Sequence, residues 1–132
     1  YLSTNQASSE SAIIHLLKFY YKKNNYLPET FILLQPTSPL RKSTDIDKAL
    51  SKYFKTGLKR LISITKDNGI YKLDKNKYLS KTNNDFFFNG AIYISDTKDF
   101  LKNKKIFLNN KTGFYLMSKS RSLDIDYEHQ VI

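Results

Sequence analysis

The tripeptide Asp-Ile-Asp occurs twice, at residues 45–47 and 124–126, and the second copy has the spacing of a metal site. It follows the apolar run Phe114 to Met117 in extended sequence, where residues two apart lie on the same face of the chain. The carboxylates of Asp124 and Asp126 can therefore converge. Two convergent carboxylates suit Mg²⁺, which shares its remaining positions with water and substrate phosphates. The alternative is an acidic pair on the surface without a ligand.

The first copy lies at the start of a predicted helix, where residues two apart point in diverging directions. Acidic side chains there interact favourably with the helix dipole. We therefore expect Asp45 and Asp47 to be helix-start charges rather than a site.

A polar segment with two prolines follows the continuously apolar run Thr30 to Leu34. Proline excludes a helix there and imposes a fixed loop. In an open parallel sheet, ligands bind beyond the carboxyl ends of the strands, so this loop is a candidate binding segment. The alternative is a turn whose hydroxyl groups only cap the next helix. The loop offers an amide, two hydroxyls and a guanidinium, from Gln35, Thr37, Ser38 and Arg41.

Apolar spacing predicts the elements that position these residues. A stripe at Ile13, Leu16, Leu17 and Tyr20 indicates a first helix, and a second helix ends near Gly57. Strands are predicted at Thr30–Leu34, Leu61–Thr65, Gly90–Ile94 and Phe114–Met117, with a short helix at Thr97–Lys102 and an exposed excursion over 71–85. Strands alternating with helices predict an α/β fold with a mostly parallel sheet, in one domain over residues 1–132.

The net charge of +10 on 132 residues raises the question of a polyanionic partner. The basic residues are 19 Lys and only 3 Arg, however, and Lys is the poorer residue for bidentate phosphate or guanine contacts. We therefore expect a solvated lysine surface and no nucleic-acid partner. A basic nucleic-acid-binding module stays open as the alternative function.

Other classes of site are excluded or disfavoured by composition. With no Cys there is no disulfide framework, thiolate zinc site or cysteine nucleophile. His15 and His129 lack partners at metal-ligand spacing. No apolar run is long enough to cross a bilayer, so we expect no membrane partner and a cytoplasmic location.

Three segments, taken in chain order, resemble the acylneuraminate cytidylyltransferases, also called CMP-sialic acid synthetases. They are Leu33–Arg41, Asn89–Tyr93 and Arg121–Asp126, and the similarity extends over essentially the whole chain. The resemblance implies a Rossmann-like nucleotide-diphosphosugar-transferase sandwich. It implies the reaction of CTP with a nine-carbon keto sugar acid, of sialic type, to give the CMP-sugar and pyrophosphate with Mg²⁺. It also implies a homodimer for the full-length protein.

The resemblance assigns roles by position. Asp124 and Asp126 match the metal-binding aspartates, and Gln35 with Asp124 form the expected catalytic pair. The expected substrate-binding residues are Ser9 on the nucleotide, Asn89 and Gly90 on the sugar side, and the loop residues Gln35, Thr37, Ser38 and Arg41.

The chain departs from the family pattern in two ways that bear on its activity. The family begins with a strand and a glycine- and basic-residue-rich loop that wraps the triphosphate, and nothing in the chain corresponds to them. Its Arg-Arg-Gln-like stretch is also missing, although Lys77 or Lys81 could replace it. We therefore expect an N-terminally incomplete cytidylyltransferase domain that is inactive on its own. A non-catalytic interaction module is a further alternative.

Overall fold

A computed structural model describes residues 8–66, 71–73, 79–81, 86–108 and 111–125. Three helices and six strands follow one another along these residues, and a short 3₁₀ turn spans Lys119–Arg121. They are α1 (Ser9–Asn24), β1 (Thr30–Leu33), α2 (Ser43–Thr56), β2 (Arg60–Lys66), β3 (Tyr71–Leu73), β4 (Leu79–Lys81), β5 (Phe86–Asp96), α3 (Thr97–Asn103) and β6 (Thr112–Met117). The helices and the four strands predicted from apolar spacing are confirmed.

Four strands form the main sheet, in the order β1-β5-β2-β6. Strand β2 is parallel to β6, whereas β5 is antiparallel to both β1 and β2. The α/β class is confirmed, but the mostly parallel sheet is not, because β5 runs against its neighbours. The described residues between β2 and β5 form the antiparallel pair β3–β4. Two neighbouring strands can be parallel only if a crossover connection, usually a helix, returns the chain to the same end of the sheet.

Helices cover both faces of this sheet. Side chains alternate along β1, so Ile32 faces one side while Phe31 and Leu33 face the other. Ile32 packs with the cluster that contains Ala49 of α2, whereas Phe31 and Leu33 pack with Ile13, Leu17 and Phe100 of α1 and α3. The result is a three-layer arrangement with the sheet in the middle. No described helix is long and apolar enough to span a membrane.

Strand β5 carries a bulge where it faces the middle of β2. Ile62 pairs with Tyr93 and Ile64 pairs with Phe88, so Ser63 alone faces the segment from Asn89 to Ile92. Bulges re-aim side chains and are frequent beside active sites. This bulge displaces Asn89 and Gly90 from the ladder just beyond the last pair of β1 with β5, Leu33–Tyr93, at the edge of the sheet toward which β1, β2 and β6 run.

Candidate functional site

Gln35, Gly90 and Asp124 come from three separate segments and meet at this edge of the sheet. Gly90 has a φ of +67°, a conformation that L side chains rarely adopt. A Cβ atom at Gly90 would lie 2.6 Å from Gln35 Oε1 and 2.8 Å from Asp124 Oδ2. The absence of a side chain at residue 90 therefore lets the amide oxygen and the carboxylate oxygen approach the same point.

The carboxylate of Asp124 has an uncompensated oxygen. Its Oδ1 atom is buried, and no donor in the described part of the chain hydrogen-bonds to it. A buried acceptor without a partner is costly, and a charged one more so. A bound cation would compensate it, and the carboxylate and amide oxygens at this point are the hard ligands that Mg²⁺ takes.

The predicted partner of Asp124 in the metal site, Asp126, lies outside the described residues. Within those residues no three His, Cys, Asp or Glu side chains group together as a metal site. The oxygen donors that the structure brings together here are thus Gln35 and Asp124.

The loop after β1 is shaped by contacts with backbone groups. Arg41 Nη1 donates to the carbonyls of Gln35 (3.1 Å) and Ala91 (2.7 Å). The buried Ser38 hydroxyl donates to the carbonyl of Asn89 at 3.3 Å. These bonds join the loop to β5, so Arg41 and Ser38 have at least the structural role of holding the loop in place. The carbonyl of Thr37 accepts from the Ile125 N–H at 2.9 Å, which brings the acidic segment to the same loop.

The side chain of Asn89 is buried and bonded on both sides. Its Oδ1 accepts from the Ser63 hydroxyl at 2.6 Å, and its Nδ2 donates to the Ser122 hydroxyl at 2.9 Å. The same Ser63 hydroxyl accepts from the Ile92 N–H at 2.8 Å. Asn89 therefore fixes the bulge and ties it to the segment that carries Asp124.

Asp45 is more than a helix-start charge. It closes the first turn of α2 by accepting from the Lys42 N–H at 3.1 Å, as expected for its position. Its carboxylate is also buried and accepts from two nitrogens of Arg121. Nε donates to Oδ2 at 2.9 Å and to Oδ1 at 3.3 Å, and Nη2 donates to Oδ1 at 3.0 Å. Tyr115 donates to it at 3.4 Å.

These contacts set the ionisation of Asp45. Burial raises the pKa of this carboxyl, but the hydrogen bonds from Arg121, the Lys42 N–H and Tyr115 outweigh burial and bring the pKa below its ordinary value. The carboxylate is therefore held charged at neutral pH.

Glu10 and Ser9 lie in the first turn of α1. Burial raises the pKa of Tyr93, and the negative charges of Asp124 and Glu10 raise it further. Ser9 is the first residue of α1 and is exposed. Lys77 and His129 lie outside the described residues, and Lys81 ends β4.

Sequence reasoning missed the residues that support the site: Asp45 as a partner of Arg121, and Ser63 and Ser122 as partners of Asn89. Ser122 lies within a motif segment, so its position in the motif was an available signal. No local pattern marks the pairing of residues 45 and 121, because the two are far apart in sequence.

A cleft of about 670 Å³ lies at the opposite end of the sheet, near the starts of β1 and β2. The Lys59–Asp96 ion pair, 2.9 Å between Nζ and Oδ2, lies at its wall. None of the predicted site residues lines this cleft.

Comparison with known proteins identifies related sequences, although no family model matches the chain. The chain is 35% identical to the N-acylneuraminate cytidylyltransferase of Escherichia coli O18:K1:H7, over 95% of its own length and 32% of that protein. It is 33% identical to the N-acylneuraminate cytidylyltransferase of Streptococcus agalactiae serotype III, over 95% of its length and 33% of that protein.

A third relative, the CMP-N,N'-diacetyllegionaminic acid synthase of Legionella pneumophila, is 29% identical over 94% of the chain and 61% of that protein. The chain thus spans about a third of the length of the two cytidylyltransferases. The resemblance inferred from the three sequence motifs is confirmed: over nearly all of its length the chain is similar to acylneuraminate cytidylyltransferases.

Proposed function

We propose that this chain forms part of a Rossmann-like cytidylyltransferase domain that activates a nonulosonic acid with CTP, giving the CMP-sugar and pyrophosphate. The observation that carries the proposal is the convergence of Gln35 and Asp124 on Gly90, with a buried Asp124 oxygen that accepts no hydrogen bond within the described part of the chain. The names of the relatives, which act on N-acylneuraminate or diacetyllegionaminic acid, support the substrate class.

The fold supports this proposal. Three strands that run in the same direction, β1, β2 and β6, end at one edge, and helices cover both faces of the sheet. Ligands of α/β sheets bind beyond such strand ends. The family motifs in the loop after β1, in the β5 bulge and in the segment after β6 all lie at this edge.

Asp124 and Asp126 would hold Mg²⁺, with the carboxylate oxygens as ligands. The uncompensated Oδ1 of Asp124 fits this assignment. When bound, the cation neutralises charge that develops on the phosphate oxygens as the bond to pyrophosphate breaks.

In the proposed reaction the anomeric hydroxyl of the sugar acid attacks the α-phosphorus in line and loses its proton, and pyrophosphate leaves with the electron pair of the broken P–O bond. The chain contributes mainly positioning and electrostatics. Gln35, next to Asp124, offers its amide N–H groups to a phosphate or sugar oxygen while its Oε1 stays at Gly90.

The remaining site residues have proposed supporting roles. Ser9 would contact the nucleotide from the start of α1, and Thr37 would reach substrate from its loop. Ser38 and Arg41 keep the loop in shape, which limits what they offer to a ligand. The side chain of Asn89 is hydrogen-bonded to Ser63 and Ser122. On the sugar side, we therefore propose that Gly90 contacts the substrate and that Asn89 supports the bulge beneath it.

We also propose that the full protein is cytoplasmic and homodimeric. Support for a dimer comes from apolar side chains exposed on β5 and β6: Phe86, Phe88 and Leu116 are each more than half exposed, at 58%, 52% and 55%. A second copy would cover such a face.

The proposal is tested by CTP-dependent pyrophosphate release from the full gene product that contains these residues, with N-acetylneuraminic and legionaminic acids as substrates. We expect Asp124→Asn to lower the rate by about 100-fold, the order of loss that follows misplacement of catalytic groups. Asp47→Asn, an exposed aspartate on α2, is the control and should keep the rate. No CTP-dependent release, or an unchanged rate in Asp124→Asn, would contradict the proposal.

A further inference from the structure

Arg121 joins the end of the 3₁₀ turn to α2 through a fork-shaped contact. Its Nε donates to Asp45 Oδ2 at 2.9 Å, with a longer contact to Oδ1 at 3.3 Å, and its Nη2 donates to Oδ1 at 3.0 Å. Such bidentate pairs fix direction as well as distance. The Asp45 side chain is only 2% exposed, whereas that of Arg121 is 33% exposed, so the buried helix residue anchors the more exposed one.

Residues 121 to 125 are tied to three elements. Arg121 bonds to α2 through Asp45, Ser122 bonds to β5 through Asn89, and the Ile125 N–H bonds to the loop after β1 through the Thr37 carbonyl at 2.9 Å. Asp124 lies between the second and third of these attachments. Its buried Oδ1 accepts no hydrogen bond from any described residue, so its direction depends on the segment that carries it.

We propose that Asp45 is a positioning residue for the metal site: by gripping Arg121 it holds the segment that aims Asp124 at Gly90. This inference rests on the proposed function, because the metal site is part of it. It separates the two aspartates of the first Asp-Ile-Asp tripeptide, since Asp45 is buried in the contact and Asp47 is exposed on the same helix.

If Asp45 only closed the first turn of α2, replacing it by asparagine would not disturb the metal site. Its contact with the Lys42 N–H closes the first turn of α2, and an asparagine can accept that bond equally well. Asp45→Asn therefore retains the helix start while it removes the charge that binds Arg121. Arg121→Lys is the complementary change, because it keeps the positive charge but removes the fork.

The test measures two properties of the 132-residue chain and its variants. Mn²⁺ binding, followed by electron paramagnetic resonance of the free ion, reports the metal site without an activity assay. Hydrogen exchange of the Ile125 amide, followed by NMR, reports whether the segment stays attached to Thr37. The variants are Asp45→Asn and Arg121→Lys, with Asp47→Asn as the matched control and Asp124→Asn as the loss-of-site control.

We expect Asp45→Asn to weaken Mn²⁺ binding by about 10- to 100-fold, the usual range for partners that orient a metal ligand, and to speed Ile125 exchange by about tenfold. Arg121→Lys should change both properties in the same direction, and Asp47→Asn should change neither. Should Asp45→Asn fail to fold, as judged by circular dichroism, Arg121→Lys decides the question by the same criteria.

One result overturns the positioning role alone: Mn²⁺ affinity stays unchanged in both Asp45→Asn and Arg121→Lys, while Asp124→Asn abolishes binding. The same holds if Ile125 exchange accelerates and Mn²⁺ affinity does not fall. Saturable binding that survives in Asp124→Asn, or is missing from the unmodified chain, instead contradicts the metal site of the proposed function.

Discussion

Gln35 and Asp124 both place a side-chain oxygen against the position of the methyl group that Gly90 lacks. The Cβ atom that Gly90 lacks would lie 2.6 Å from Gln35 Oε1 and 2.8 Å from Asp124 Oδ2. Both distances are shorter than real Cβ contacts allow. The approach of two residues from different loops therefore depends on a glycine in the bulge of a third segment, and this dependence can be tested directly.

Replacing Gly90 by alanine should damage the site as well as the fold. An alanine with positive φ costs about 1–2 kcal/mol in unfolding free energy, and the added methyl group must also displace Gln35 or Asp124. We expect a loss of about 100-fold in pyrophosphate release by the full gene product. Urea unfolding and the pyrophosphate assay measure the two effects separately.

Gly57 provides the matched control for this change. It has a φ of +65° at the end of α2, and a Cβ atom there would meet nothing within 4 Å. Gly57→Ala should therefore carry a similar backbone cost but leave the rate unchanged. Equal rates for the two alanine variants would show that the close approach at Gly90 does not matter.

Ser63→Ala should destabilise the fold by removing the hydroxyl that supports the β5 bulge. Asn89 Oδ1 would keep only its longer bond from the Ala91 N–H among the described contacts, at 3.3 Å, and the Ile92 N–H would lose its acceptor. Leaving a buried polar group unpaired costs about 1–3 kcal/mol. Urea unfolding measures the loss. Ser95, another buried strand serine, donates to the neighbouring Asp96 carbonyl and, among the described residues, supports no second polar group, so Ser95→Ala should cost less. A smaller loss for Ser63→Ala than for Ser95→Ala would contradict the role assigned to Asn89.

The sequence placed Gln35 and Asp124 after strands but did not predict how the two side chains meet at Gly90. The apolar run before Gln35 and the acidic residue after β6 were sufficient to place both residues at strand ends, because strand length and burial leave local patterns. The prediction that β5 runs parallel to its neighbours was wrong, because apolar content alone does not distinguish a parallel from an antiparallel strand.

The pairing of Asp45 with Arg121 could not be predicted for a different reason. The position of Asp45 near the start of α2 has a sufficient local explanation in the helix dipole and the first turn. Its second role depends on where the 3₁₀ turn after β6 is packed, and that is decided by tertiary contacts between residues 76 positions apart. The spacing of neighbouring residues in the sequence does not predict such contacts.

The Asp45–Arg121 pair should make stability depend on acid pH. The pKa of Asp45 is lowered in the folded chain, so its contribution to stability is present above the unfolded-state pKa of about 3.9 and is lost as the pH falls through the lower folded value. We expect the difference in unfolding free energy between the unmodified chain and Asp45→Asn to be full at pH 6 and to shrink below pH about 4.

Urea unfolding at a series of pH values measures this difference. Asp47→Asn serves as the control and should track the unmodified chain throughout. A difference for Asp45→Asn that stays constant from pH 6 to the acid limit of folding would mean that the ionised carboxylate does not stabilise the fold.

The central claim is that Asp124 is oriented to bind a divalent cation, and thermal unfolding of the 132-residue chain with and without Mg²⁺ tests it most directly. A ligand at 100 times its dissociation constant stabilises a fold by about 2.7 kcal/mol, so the unfolding midpoint of the unmodified chain should rise with Mg²⁺. Asp124→Asn should lose this rise and, without Mg²⁺, should be at least as stable as the unmodified chain, because it replaces a carboxyl group whose buried Oδ1 accepts no hydrogen bond from the described residues. A midpoint that rises equally in both proteins, or in neither, would contradict the account.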